Sequence, residues 1–263
     1  MNASISWKIY LYLNLLVVFV LAFLPIVVLV LFSWNQSAFP ILPWTGATIL
    51  WYEQLVSDTK IMEAVANSFF VGVGTALLSL IIGFAGAHTI FLRRNKTIDL
   101  LRFFAFAPPL VPYVVSGIAF VTLLNFVPIP KSIFSIILFQ SVIFVPLAIG
   151  TIYLRLKEIG YGYADVVTNL GGSYTRYVFS VLLPMLMPTL VGTALFVFAL
   201  SWDEFIISWF VGGFSETIPV RVWLSMKSTL SPTINALGTI SFFLSLTLLL
   251  FAQHFLRKKK YVS

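Results

Sequence analysis

The chain carries six apolar runs, each long enough to cross a bilayer as a helix, and nothing else limits its possible folds as severely. A hydrocarbon core about 30 Å thick takes about 20 residues of helix to span. Runs of that length lie at 9–32, 65–92, 100–126, 132–154, 181–200 and 234–256. Of the 263 residues, 60% are hydrophobic and 10% charged, and the mean hydropathy is +1.01. A soluble domain carries about 25% charged residues because water must wet its surface. The outside of this chain is therefore expected to face lipid, and a soluble globular protein is excluded. Residues 1–263 read as a single, all-α, polytopic transmembrane domain with six membrane-spanning helices. The first run is too long for a signal-peptide core of about 7–15 residues and no small-residue cleavage site follows it, so it reads as a retained helix.

Lys and Arg mark the cytoplasmic loops of such proteins. Lys8, Arg93, Arg94, Lys96, Arg102, Arg155, Lys157, Arg176, Arg257, Lys258, Lys259 and Lys260 fall on one side; Lys60, Lys131, Arg221 and Lys227 fall on the other. Both termini are thus expected in the cytoplasm. The net charge of +7 follows from this topology and from contact with anionic headgroups, which removes the reason to expect nucleic acid as a partner.

Interruptions within the runs constrain packing. The third run contains Pro108, Pro109 and Pro112, and the fourth contains Pro146. Each proline removes a backbone donor and clashes one turn back, which suits either a kinked packing helix or a wall of a passage. Gly72, Gly74, Gly83, Gly86 and Ala87 in the second run allow another helix to approach closely.

Catalytic and cofactor motifs are missing from the sequence. There is no phosphate-binding G-x-x-x-x-G-K-[ST] loop, no H-E-x-x-H and no G-x-S-x-G. The absence of cysteine excludes a disulfide framework, a thiolate metal site and a cysteine nucleophile. His88 and His254 stand near expected helix ends and read as interfacial residues. Neither an enzyme nor a resident cofactor or metal is expected on this chain.

Polar sequence on the cytoplasmic side is longest at 155–180, RLKEIGYGYADVVTNLGGSYTRYVFS, before Val181, Leu183 and Pro184. Residues 163–170 allow two helical turns, Gly171 and Gly172 would end them, and Ser173 would cap a second short helix leading to Pro184. By itself this describes an amphipathic helical turn at the membrane surface. Here the chain resembles the six-helix permease subunits of binding-protein-dependent ABC importers. Their cytoplasmic signature is Glu-Ala-Ala, three residues, Gly, nine residues, Ile, one residue, Leu-Pro. The matching positions are Asp165-Val166-Val167, Gly171, Val181 and Leu183-Pro184. Spacing is complete, while Asp replaces Glu and valines replace the alanines and the isoleucine.

Asn67-Ser68-Phe69, Ser201-Trp202-Asp203-Glu204-Phe205, Ile218-Pro219-Val220 and the stretch from Leu230 through Ser231, Pro232, Thr233, Ile234 and Asn235 to Ala236 extend the likeness. They resemble the second permease of spermidine/putrescine-type importers. The resemblance implies the MetI-like, type I ABC importer permease fold, with 155–180 as cytoplasmic coupling helices that dock on an ATPase. It implies as partners two copies of that ATPase, which hold ATP and Mg, a second homologous permease (a heterodimer rather than a homodimer), and an extracytoplasmic binding protein. Localisation in a bacterial cytoplasmic membrane follows. The cargo implied is a polyamine or a related cationic amino compound; another small solute, such as an opine, an amino acid derivative, a metal or an organic anion, stays open.

Asp203 and Glu204 are acids near the outer half of the membrane, where a lipid-facing carboxylate costs about 2.5–3.5 kcal/mol. They must face water or protein. They read either as a cation pathway, with Trp202 and Trp209 adding cation–π attraction and Pro109 and Pro112 lining the passage, or as a structural cap paired with Arg221. No acid occurs between Phe103 and Phe126, where some polyamine-type relatives carry one. A self-sufficient channel or secondary carrier would need its own coupling site, and a membrane anchor would not need three breaks in one span.

Overall fold

The computed structural model describes residues 2–37, 44–93, 96–228 and 232–257; Arg94, Leu230, Ser231, Lys258, Lys259 and Lys260 lie outside them. Described residues form twelve α-helices and no β-sheet: α1 (Asn2–Trp34), α2 (Leu50–Ser57), α3 (Thr59–Leu92), α4 (Lys96–Ala105), α5 (Tyr113–Phe126), α6 (Ile133–Ile159), α7 (Gly162–Asn169), α8 (Tyr174–Tyr177), α9 (Leu183–Trp202), α10 (Ile206–Val211), α11 (Ile218–Ser228) and α12 (Pro232–Arg257). They divide into two compact units, Met1–Met62 with Val222–Phe243, and Glu63–Arg221 with Leu244–Ser263.

In the first unit, α1 buries none of its apolar window, as a lipid-facing helix should. At its end the chain turns back. Trp51 donates its indole N–H to the Asn35 carbonyl at 2.7 Å, and the Tyr52 and Ser33 hydroxyls meet at 2.8 Å. Asp58 then starts α3, its carboxylate accepting the N–H groups of Lys60 (2.9 Å) and Ile61 (3.1 Å), two of the donors a helix start leaves unpaired.

Five helical segments among the described residues are long and apolar enough to cross a membrane: Trp7–Trp34, Thr59–Leu92, Ile133–Ile159, Tyr174–Trp202 and Pro232–Leu256. The expected third span, 100–126, is not one helix. It separates into α4 and α5, with a single 3-10 turn at Pro108–Leu110 between them. Three prolines within five positions remove three N–H donors. Val111, forced away from helical geometry by Pro112, is extended at φ −85°, ψ 130°. The apolar remainder, α5, has 14 residues, about 21 Å of helix. Pro146 behaves differently and sits inside an unbroken α6. That helix also continues past the expected end at residue 154, to Ile159. The short helices α2, α10 and α11 were not expected from the sequence, since none is long enough to leave a clear period.

The second unit is built on close approach of α3 and α6. Gly83 faces Ala148 so tightly that a Cβ there would stand 2.5 Å from the Ala148 Cβ, and one on Gly74 would stand 2.6 Å from Ile137. Gly72 meets the Phe198 ring of α9 in the same way, and Ala87 is fully buried. Close backbone contact is how helices attract one another where lipid is as apolar as their side chains. Toward the end of α3 beyond these glycines, Ile90, Phe91, Ile149, Ile152, Leu156, Leu182 and Leu186 belong to one buried cluster.

Gly83→Ala gains helix propensity yet inserts a methyl where none fits, and overpacking of this kind costs about 1–3 kcal/mol. Thermal unfolding of the purified protein should show Gly83→Ala melting several degrees below wild type. Gly162→Ala, whose Cβ would enter open space, should not lower the melting temperature. Equal melting of the two would mean that α3 and α6 do not pack this closely.

Candidate functional site

The signature-matching residues lie on a folded helical turn. The chain leaves α6 through Gly160 at φ +80°. Tyr161 then stacks on Phe91 at the end of α3, with ring centroids 4.2 Å apart and planes 7° apart, and donates its hydroxyl to the Phe91 carbonyl at 2.8 Å. Helix α7 follows, over nearly the stretch the sequence suggested. Gly171 ends it at φ +80°, and the Gly172 N–H returns to the Val167 carbonyl at 2.8 Å. The Ser173 hydroxyl accepts the N–H of Arg176 at 3.3 Å and so caps α8, as expected. Tyr174 reaches back to His88, its hydroxyl 2.8 Å from Nε2, so His88 is a docking partner of this turn. Exposed His254 has its ring edge-on to Phe255.

Between α8 and α9 the chain makes one π-helical turn, Val178–Leu182, and Leu183 donates to the Val178 carbonyl five residues back. Pro184 explains it: a proline ring crowds the carbonyl four residues earlier, and widening the helix relieves that clash. The signature positions thus have different surroundings. Val167 packs against the buried cluster, Val181 and Leu183 are half-buried, and Asp165 and Pro184 are exposed. Val166 is 55% and Leu170 82% exposed. With exposed Tyr163 and Phe179 they leave apolar surface on a turn anchored to α3, which is how a protein-docking surface looks.

The acid pair occupies the turn from α9 into α10. Asp203 and Glu204 both line a pocket of about 460 Å³ with Tyr113, Phe144, Phe205 and Leu249. Glu204 is buried. Its Oε1 accepts the Ile207 N–H at 2.8 Å, and its Oε2 accepts the Ser208 N–H at 3.1 Å and the Gln140 amide at 3.1 Å. Asp203 is exposed, with Ser245 of α12 beside its carboxylate. The expected pairing with Arg221 does not form. Arg221 bonds Glu216 at 3.4 Å, close in sequence and on the same loop-to-helix junction.

The other pathway candidates are not gathered there. Trp202 is buried and stacked on Phe198, 5.7 Å between centroids, and Trp209 is tilted against Phe205 at 5.9 Å. Pro109 and Pro112 lie exposed in the break just before Tyr113. Ser208, Thr75 and Tyr113 carry no local sequence signal for this site, and Ser201 stands in the sequence only as part of the Ser201–Phe205 likeness. One signal was available for Gln140: a glutamine inside an apolar run must find a buried partner. Asn67 and Ser68 hold the chain after α10, the first donating to the Glu216 carbonyl at 2.9 Å and the second accepting the Ile218 N–H at 2.8 Å. No cluster of three or more metal-ligating side chains occurs among the described residues.

Residues 76–261 match the family described as binding-protein-dependent transport system inner membrane component. The chain is 28% identical over 238 residues to the spermidine/putrescine transport system permease protein PotC of Escherichia coli strain K12, covering 90% of each chain. It is 29% identical over 234 residues to the putrescine transport system permease protein PotI of the same strain, covering 86% of this chain and 83% of that one. Among solved structures, a bacterial ABC transporter involved in the import of the acidic polysaccharide alginate superimposes with a TM-score of 0.70 at 15% identity, over 99% of this chain and 98% of that one.

A Cβ on Gly171 would meet nothing within 4 Å, so any cost of replacing it lies in the backbone. Left-handed geometry costs an ordinary L-residue about 1–2 kcal/mol and is tolerated by Asn. Gly171→Val should raise amide hydrogen exchange across α7 and α8 by roughly tenfold, while Gly171→Asn stays near wild type. Equal exchange in both variants would show that positive φ does not fix this turn.

Proposed function

This chain belongs to the binding-protein-dependent transport system inner membrane component family as a permease subunit of an ABC importer, and from that premise we propose that it forms half of a translocation pathway for a polyamine. The observation that carries the cargo reading is the pocket in which Asp203 and Glu204 stand among Tyr113, Phe144 and Phe205. An ammonium group leaving water needs carboxylates to replace its hydration. A close ion pair near a protein surface has a Coulomb term of about 4 kcal/mol at an effective dielectric near 20, and aromatic faces add about 0.5–2 kcal/mol. The spermidine/putrescine and putrescine permeases that the chain resembles support the same reading. The alginate transporter speaks to fold alone.

Six crossings complete the proposed topology: the five long helices, with α4 and α5 together making the third around the proline break. Both termini then lie in the cytoplasm, following the Lys and Arg count. The 155–180 segment faces the same side and docks on an ATPase through Asp165, Val166 and Leu170, while Gly171 and Pro184 shape the turn. Partners in this reading are two ATPase copies, a second homologous permease forming a heterodimer, and an extracytoplasmic binding protein. ATP binds and is hydrolysed on the ATPase pair, whose closure tilts the helices through the anchored turn. No chemistry and no resident cofactor are assigned to this chain.

Two measurements test this. The complex reconstituted in proteoliposomes with its binding protein should take up labelled spermidine or putrescine and ignore an uncharged disaccharide. Uptake of the disaccharide in place of polyamine would overturn the cargo. Val166→Asp with Leu170→Asp places two charges on the exposed apolar face. It should release the ATPase on size-exclusion chromatography while leaving membrane insertion intact; retention of stoichiometric ATPase would remove this face from the interface.

A further inference from the structure

Asp203 and Glu204 are adjacent in sequence and share a pocket, yet their surroundings differ in kind. A carboxylate has about four acceptor positions. At Glu204 at least three are filled by Ile207 N–H, Ser208 N–H and Gln140 Nε2, with the Ser208 hydroxyl a further 3.3 Å neighbour. Two of these donors are backbone groups in the first turn of α10, which have no partner within that helix. Glu204 therefore serves α10 as its cap.

Gln140 is the hub behind it. Fully buried on α6, it donates to Glu204 and, at 3.0 Å, to the Ser208 hydroxyl. Its carbonyl accepts the hydroxyls of Ser201 on α9 and, at 3.4 Å, of Thr75 on α3. One amide thus ties α3, α6, α9 and α10 to the turn that holds the acids. Asp203 lies on that turn but outside this set of bonds, exposed to the pocket.

We infer that the two acids divide the work: Asp203 is the carboxylate that meets the ammonium group of the cargo, and Glu204, through Gln140, is a positioning residue that holds Asp203 in place. This rests on the cationic-cargo reading above. Cargo could reach Glu204 only by displacing backbone and amide donors that would then be buried without partners, which is costly in a low-dielectric site. Asp203 needs no such displacement.

Three readouts on the assembled complex separate the roles. The chain has no cysteine, so Asp203→Cys and Glu204→Cys can each be followed by mass as a cationic methanethiosulfonate reacts. The first should react at least about tenfold faster, because the second needs local opening. In uptake assays with labelled spermidine, Asp203→Asn should raise KM about tenfold, the equivalent of one close charge contact, and Asp203→Glu should restore part of it. Glu204→Gln and Gln140→Met should lower the melting temperature by several degrees and reduce maximal uptake rather than affinity. Their combination should cost less than the sum, as residues in one bonded set do. Equal labelling at 203 and 204, or a KM rise in Glu204→Gln at unchanged melting temperature, overturns the division. So does an unchanged KM in Asp203→Asn when wild type transports spermidine. A wild-type complex that takes up no polyamine defeats the cargo reading, and labelling and melting then decide between pocket-facing and positioning roles on their own.

Discussion

A peptide group in hydrocarbon has no water to bond, so every departure from helix must find its partners within the protein. That constraint organises this structure. In the proline break before α5, the Leu110 and Val111 N–H groups close on Ala107 and Pro108 carbonyls at 3.0 and 3.2 Å. Between α9 and α10 the Glu204 carboxylate supplies the acceptors. After α10, Asn67 of α3 donates to the Glu216 carbonyl and Ser68 accepts the Ile218 N–H, and beyond α6 the turn is held by Tyr161 on Phe91 and Tyr174 on His88. The positions where the helices stop are also those to which function is proposed: the acid pair and the 155–180 turn each lie at an interruption fastened by side chains from α3 or α6. The glycines of α3 make this possible by letting α6 and α9 come near enough for those bonds to form.

Much of this was legible in the sequence because the signals were local. Length and hydropathy located the long helices; the glycine stripe marked the face of α3 that packs; and Gly171 with Ser173 gave the helix end and the cap between α7 and α8, to which the structure adds the positive φ at Gly171. The third span was legible only in part. Its prolines were visible, but whether three of them kink a helix or sever it depends on what surrounds the freed carbonyls. The surroundings of Glu204 were not legible. Gln140 and Thr75 stand 64 and 129 positions away in the chain, and neither pattern nor propensity links them to it. The suggested Arg221 partner failed for a related reason: opposite charge at plausible depth says nothing about which carboxylate is nearer, and Glu216 is.

Fold and cargo separate among the proteins this chain resembles. A transporter of an acidic polysaccharide shares the fold at a TM-score of 0.70, while the relatives at 28 and 29% identity are polyamine permeases. Helix arrangement thus leaves charge preference open; in the proposed pathway the side chains at the α9–α10 turn set it. The coupling turn is the opposite case. There the chain departs from the family signature at every alanine and keeps the spacing, as the proposed docking would require of an exposed apolar face held at a fixed position relative to a glycine and a proline.

As proposed, this permease is driven from outside itself, through the anchored turn between α6 and α9. A cysteine placed at Val166, in a chain that otherwise has none, tests it most directly by crosslinking in membranes with a short bifunctional thiol reagent. A covalent adduct with a nucleotide-binding subunit, its yield changed by ATP, is the expected result. Cargo transport by the purified chain alone, with no adduct formed at that position, would contradict it.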